Sequence, residues 1–268
     1  MRTDLAAECL KEKKLPEGII SKSESFFDGE VSVVEINSDE AARKIGKPKG
    51  IYISFDLKPF WEEQNYLSEK TEFIAEVLRD LLPKKGGVLV VGLGNREITP
   101  DALGPSSAEK ILVTRHLSKI FPELRTVASI SPNVLGKTGL EAVETIRSVV
   151  NEVKPAAVIV IDALASASAE RLGSVIQLTD SGIAPGSGVL NSRKVLNRES
   201  LNVPVIAIGM PTVTDVSQLL QNNFNEPMMC TPRQIDLIIQ KASNFLAACI
   251  NRALHPSLSL EDLILLQS

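Results

Sequence analysis

The 268 residues of this chain suit one large α/β domain or two small ones, and a chain of that size can bury about 70–75% of its unfolded surface without a metal or disulfide staple. Its 44% apolar content, 23% charged content, net charge of −4 and lack of any long apolar run exclude a disordered chain, a broad basic face for nucleic acid and a membrane-spanning helix. Cys9, Cys230 and Cys249 are odd in number, far apart and without metal-ligand spacing, so they point to reduced thiols in the cytoplasm and not to a disulfide framework.

Residues 1–27 are polar, contain Pro16 and Gly18, and lack the apolar core of a signal peptide. They predict an N-terminal arm that packs loosely or regulates, ahead of a single α/β domain over residues 28–268. "EVSVVEI" (Glu30–Ile36) and "GIYISFDL" (Gly50–Leu57) alternate or run apolar with β-branched residues and predict strands. Leu67, Phe73, Ile74, Val77, Leu78, Leu81 and Leu82 recur at helical spacing and predict a helix over Tyr66–Leu82, closed by Lys84-Lys85-Gly86-Gly87. Next come a strand in "GVLVVGL" (Gly87–Leu93), a helix over Pro105–Ile120, a strand over Thr126–Ser131 and an amphipathic helix over Gly139–Val153. Strands follow at Ala156–Leu164, Leu172–Leu178 and Val203–Pro211. A long helix over Thr231–Leu254 ends this series, with Thr231 as N-cap, Pro232 in the first position and Gln234 completing a capping box.

Strands apolar on both faces, alternating with helices, predict a three-layer α/β fold: a mostly parallel sheet with helices on both faces. Ligands in such sheets bind beyond the carboxyl ends of the strands, and the polar clusters of this chain fall there.

The first cluster, "VVGLGNREITPDALGP" (Val90–Pro105), looks like a nucleotide-binding turn. The third glycine of a dinucleotide fingerprint is missing, no acid follows at the expected distance, and Glu97 and Asp101 would repel a pyrophosphate. As a bare turn, Asp101 could simply be a helix N-cap. The second cluster is "VIVIDALASAS", where Asp162 ends a strand buried on both faces. A carboxylate there is costly unless it caps a turn or serves chemistry. Two acids, each at the carboxyl end of a buried strand or just after it, are expected to converge on one crevice.

Around them, "LTDSGIAPGSGVLNSRK" (Leu178–Lys194) predicts a loop over the same sheet end, offering Asp180, Ser187, Asn191 and Arg193 to a substrate. Gly94 and Asn95 of "GLGN" are further substrate-binding candidates, their amides suited to an oxyanion. Thr212, Thr214 and Asp215 in "GMPTVTD" read as helix caps. His116 sits inside a predicted helix and His255 at the end of another, neither beside a serine or cysteine turn, and the cysteines lie outside the strand-end clusters. Zinc and nucleophilic catalysis are therefore not expected, no cofactor is called for, and a hydrolase working with two carboxylates remains.

"RTDLA", "GLGN", "TPDALGP", "IDALAS", "TDSGIAPGSG", "VPVIAIGMPTV" and "ALHP" occur in this order, and the chain resembles the germination proteases of spore-forming bacteria over nearly its whole length. The resemblance implies an atypical aspartic endopeptidase with a fold similar to hydrogenase maturation endopeptidases. It implies catalytic roles for Asp101 and Asp162 and small acid-soluble, DNA-coating spore proteins as substrates. It also implies a location in the spore core, with no direct nucleic-acid or membrane partner, and a homo-oligomer, tetrameric in the family. Water would attack the peptide carbonyl directly, one carboxylate acting as base and the other, protonated, as acid.

Two departures from the family pattern stand out. Only Met1 precedes "RTDLA" where the family has a removable prosegment, so the chain as given is expected to be active without processing. Only "DVSQLLQNNFNEPMM" separates "PTV" from the last long helix, where the family carries a long charged insertion. The alternatives are a hydrogenase-maturation type of peptidase, which wants a histidine near the acids, and a catalytically silent binding protein of the same fold.

Overall fold

The computed structural model describes residues 3–10, 15–62, 69–186, 194–217 and 228–266. Two hairpin-linked strands, β1 (Ile19–Phe26) and β2 (Gly29–Ile36), are followed by helix α1 (Asp39–Ile45) and strand β3 (Gly50–Asp56). Helix α2 (Glu69–Leu81) leads to β4 (Val88–Gly92), α3 (Leu103–Ala108) and β5 (Val127–Ile130). Helices α4 (Leu135–Thr138) and α5 (Ala142–Val153) precede β6 (Ala157–Ser166) and β7 (Val175–Thr179). Helix α6 (Arg198–Leu201), β8 (Val205–Asp215), the short β9 (Met229–Cys230), α7 (Ile235–Leu254) and α8 (Leu260–Leu265) complete the series.

The strands form one sheet in the order β1-β2-β3-β7-β8-β6-β4-β5, with β9 on β8. It is mixed. β8, β6, β4 and β5 pair in parallel, whereas β1, β2, β3, β7 and β8 pair antiparallel. The two halves meet along a short seam in which β7 and β8 share three residue pairs, Gln177↔Gly209, Leu178↔Ile208 and Thr179↔Ala207.

Three layers result, as the doubly apolar strands imply. On one face Val90, Ile159, Ile161, Ile206 and Ile208 pack under α2, α3 and α7, through Ile74, Leu78, Leu103, Phe245 and Leu246. On the other, Leu89, Val91, Val158 and Val160 pack under Val143, Ile146 and Val150 of α5. Each such side chain, fully buried, contributes about 1.5–3 kcal/mol. The start of α5 is fixed by a reciprocal cap between Glu141 and Glu144, within the helix expected over Gly139–Val153.

Three local expectations are corrected. The helix expected over Pro105–Ile120 stops at Ala108 and leaves His116 in an exposed 3-10 turn, Arg115–Leu117. Asn251 of α7 captures the chain there. Its Oδ1 accepts the Leu112 N–H at 2.9 Å, and its Nδ2 donates to Lys110 O at 2.9 Å. Thr231 does not cap α7. Its hydroxyl donates to Thr212 O at 2.7 Å, because Met229–Cys230 runs as a strand beside β8, and the helix begins only at Ile235.

The third correction is the N-terminal arm. Ile19–Phe26 is a strand, and residues 3–10 ahead of it do not pack loosely. Leu5 and Ala6 are fully buried, Ala6 N–H donates to Gln177 Oε1 at 2.9 Å, and Glu8 accepts from Ser166 Oγ and Ala167 N.

Candidate active site

β4 and β6 are adjacent and parallel, but the chain leaves them in opposite directions. After β4 it crosses one face through α3 to β5; after β6 it crosses toward β7 beyond β8. Such a point opens a crevice at the strand carboxyl ends. Asp101 follows β4 and Asp162 lies in β6, and both line one cavity of about 390 Å³ there.

The turn that carries Asp101 is built by close backbone approach. Gly92 packs against Gly104, where a Cβ would stand 2.2 Å from Leu93 O and 2.5 Å from Ile161 O. Gly94 adopts φ +118°, and a Cβ there would lie 2.0 Å from Asp101 O. Asn95 Oδ1 accepts the Glu97 N–H at 3.0 Å, Ile98 N–H donates to Asn95 O, and a 3-10 turn over Thr99–Asp101 follows. Asp101 then folds back, and its Oδ2 accepts the Asn95 N–H at 2.7 Å. It does not cap α3, whose N-cap is Ala102.

Asp162 is 6% exposed, and its Oδ1 accepts the N–H of Ala163 at 2.9 Å. Leu93, Ile98, Val134, Leu164, Val213 and Met229 make much of the cavity wall apolar. Thr212 also lines it, and its buried hydroxyl has no hydrogen-bond partner among the described residues. A second cavity of about 160 Å³, lined by Tyr52, Gln177, Thr179 and Ser181, adjoins the first and shares Asp4 and Leu164 with it.

With this geometry in view, comparison with known proteins is decisive. The profile of the germination protease family matches residues 1–225. The chain belongs to the germination protease family. A germination protease of Clostridium perfringens is 36% identical over 317 aligned positions, with 98% of each chain covered. That of Caldanaerobacter subterraneus subsp. tengcongensis is 37% identical over 314, covering 98% of this chain and 97% of its own. One from a Geobacillus species is 40% identical over 248, covering 84% of this chain and 66% of its own. Alignments of 317 and 314 positions exceed the 268 residues here, so those relatives carry stretches that this chain lacks. A [NiFe] hydrogenase maturation protease from Thermococcus kodakarensis overlays 65% of this chain and 98% of its own at 17% identity and a TM-score of 0.38, a likeness too low to transfer anything.

Against the germination protease pattern, the cavity gathers some of the expected site residues and leaves others out. Asp101, Asp162 and Gly94 line it. Asn95 serves the turn, its side chain and its N–H both committed within it. Asp180 is exposed and outside the cavity, because its Oδ1 accepts the Ile51 N–H at 2.7 Å and so ties β3 to the end of β7. Ser187, Asn191 and Arg193 lie outside the described residues. Of the expected caps, Asp215 accepts from the N–H and hydroxyl of Ser217, while the buried hydroxyl of Thr214, like that of Thr212, has no partner among the described residues.

Two further residues reach the cavity: Asp4, from the N-terminal arm, and Cys230, expected away from the strand ends, through β9. Burial, with the Asp215 carboxylate adding to it, pushes the Cys230 thiol up and keeps it from acting as a ready nucleophile. Cys230→Ala is therefore expected to keep peptidase activity within about threefold of the unmodified chain. A loss of a hundredfold or more in a kinetic assay would make the site a thiol one.

Proposed function

We propose that this germination protease is a carboxylate-dependent endopeptidase acting on small acid-soluble spore proteins. The observation that carries the reading is the convergence of Asp101 and Asp162 on one cavity at the β4/β6 switch point. Its volume lies within the range of ordinary ligand sites. Apolar walls with two acids among them suit a peptide segment whose carbonyl is attacked by water. One carboxylate takes a proton from the water, and the other, protonated, polarises the carbonyl or delivers a proton to the leaving amine. Thr212, Gly94 and Gly186 line the cavity, and the Thr212 hydroxyl with the Gly94 and Gly186 amides would stabilise the oxyanion. The Asn95 amide is not available for this, being held by Asp101.

In this reading the enzyme works in the spore core, beside its substrates, and assembly into a homo-oligomer belongs to the same proposal. Among the described residues no helix is long and apolar enough to cross a membrane. The chemistry of the pair calls for neither nucleic acid nor a metal ion. Among the described residues no group of three or more His, Cys, Asp and Glu side chains is placed to hold one.

The test is a digest of a purified small acid-soluble spore protein with and without a strong chelator, read by mass spectrometry. A few defined internal cuts, equal in both arms, are expected. Cleavage that stops with chelator and returns with one added metal would replace the two-carboxylate mechanism. An intact spore protein beside a trimmed hydrogenase precursor tail would favour the maturation type of peptidase.

A further inference from the structure

β6 outruns its parallel neighbour. β4 ends at Gly92, opposite Ile161, while β6 continues to Ser166. Ile161 O still accepts the Leu93 N–H at 2.8 Å. Main-chain groups of alternate residues face the same strand edge, so those of Ala163 and Ala165 face the edge that β4 has left. Such groups need partners once they are shielded from water. Asp162 supplies the first, taking the Ala163 N–H on its own Oδ1 at 2.9 Å. Asp4 supplies the second. Its N–H donates to Ala165 O at 2.8 Å, and its Oδ2 accepts the Ala165 N–H at 2.8 Å.

Asp4 is itself held firmly. Gln177 Nε2 donates to Asp4 O at 3.0 Å, and Lys47 Nζ donates to Thr3 O at 2.8 Å. The segment is pinned again at Glu8, which accepts from Ser166 Oγ at 2.6 Å and Ala167 N at 2.8 Å. β6 needs this support. Its register against β8 shifts between Leu164 and Ala165, within three residues of Asp162, and an irregular strand with an open edge is free to slip.

Given that the chain cleaves peptides through Asp162, we propose that Asp4 is a positioning residue for that reaction. By pairing both main-chain groups of Ala165 it fixes the backbone from Asp162 to Ala165 and, through the Ala163 bond, the direction of the Asp162 carboxylate. The N-terminal segment is thus a working wall of the active site. Misplacing a reacting group by about 1 Å can cost about 10²-fold in rate, which sets the scale of the effect.

The experiment compares Asp4→Ala, which removes the acceptor for Ala165 N–H, with Asp4→Asn, which keeps an oxygen there and removes the charge. Each is made in the full chain and assayed on a small acid-soluble spore protein, with hydrogen exchange measured at the peptide containing Ala165. Asp4→Ala is expected to lower kcat about 10- to 100-fold, to leave KM within about threefold and to speed exchange at Ala165. Asp4→Asn should recover most of the lost kcat, with the pH profile of the unmodified enzyme. An Asp4→Ala enzyme with normal kcat despite an unprotected Ala165 amide would overturn the proposal. So would an Asp4→Asn enzyme as slow as Asp4→Ala, which would assign Asp4 a role through its charge. An unmodified chain that leaves spore protein uncut would remove the peptidase reading itself, a result seen before any variant is made.

Discussion

Asp162→Asn is expected to lower kcat on a small acid-soluble spore protein by about 10²–10⁴-fold, the usual cost of losing a general acid or base. The substitution keeps nearly the same volume, and an amide oxygen can still accept the Ala163 N–H that Oδ1 accepts now. Because volume and this hydrogen bond are both kept, the thermal unfolding midpoint is expected to stay close to that of the unmodified chain. The amide cannot take a proton from water or hold one for the leaving amine. A steady-state assay beside a melting curve separates the two effects. Activity within about threefold of the original, in a protein that folds, would take Asp162 out of the chemistry.

Gly94→Ala should be nearly as damaging for a different reason. The added methyl would start 2.0 Å from Asp101 O and 3.1 Å from Asp101 Oδ1, on a backbone with φ +118°. Side-chain-bearing residues rarely adopt that conformation. Relief of the clash must carry Asp101 away by about an ångström, because contacts below 3.0 Å are not sustained. An overpacked site of this kind costs about 1–3 kcal/mol of stability, and a displaced reacting group about 10²-fold in rate. Urea unfolding with a kinetic assay checks both numbers. Unchanged kcat in this variant would mean that the position of Asp101 is not critical to the reaction.

Much of the parallel half of the sheet was legible in the sequence, because its signal is local. "VLVV" and "VIVI" are apolar on both faces, which only a strand covered by helices on both sides accommodates, and they are β4 and β6. A carboxylate closing such a run, Asp162, is conspicuous for the same reason, and Asp101 was found because acids are wrong for the phosphate turn that its glycines suggest.

What stayed hidden was decided by partners distant in sequence. Nothing near Ala108 announces that Asn251 will end its helix. Thr231 has the chemistry of a cap but is drawn to Thr212 by a strand pairing of two residues. The polar sequence of β1 reads as an arm because its burial pattern leaves six consecutive residues exposed between Ile19 and Phe26. Asp180 sits in a loop rich in site-like residues, yet its oxygen is used by the N–H of Ile51, a partner no spacing rule could reveal.

The short seam between β7 and β8 gives the N-terminal segment a mechanical meaning. Nine residue pairs join β6 to β8, but only three join β8 to β7, so the two halves of the sheet, one plate on each side, meet at a short ladder. Asp4 grips Ala165 on one plate, and Asp4 and Ala6 grip Gln177 on the other, so this segment is a strap across that ladder. Asp4 also lines the cavity that holds Asp101 and Asp162, so the strap that ties β6 to β7 is at the same time part of that cavity's wall.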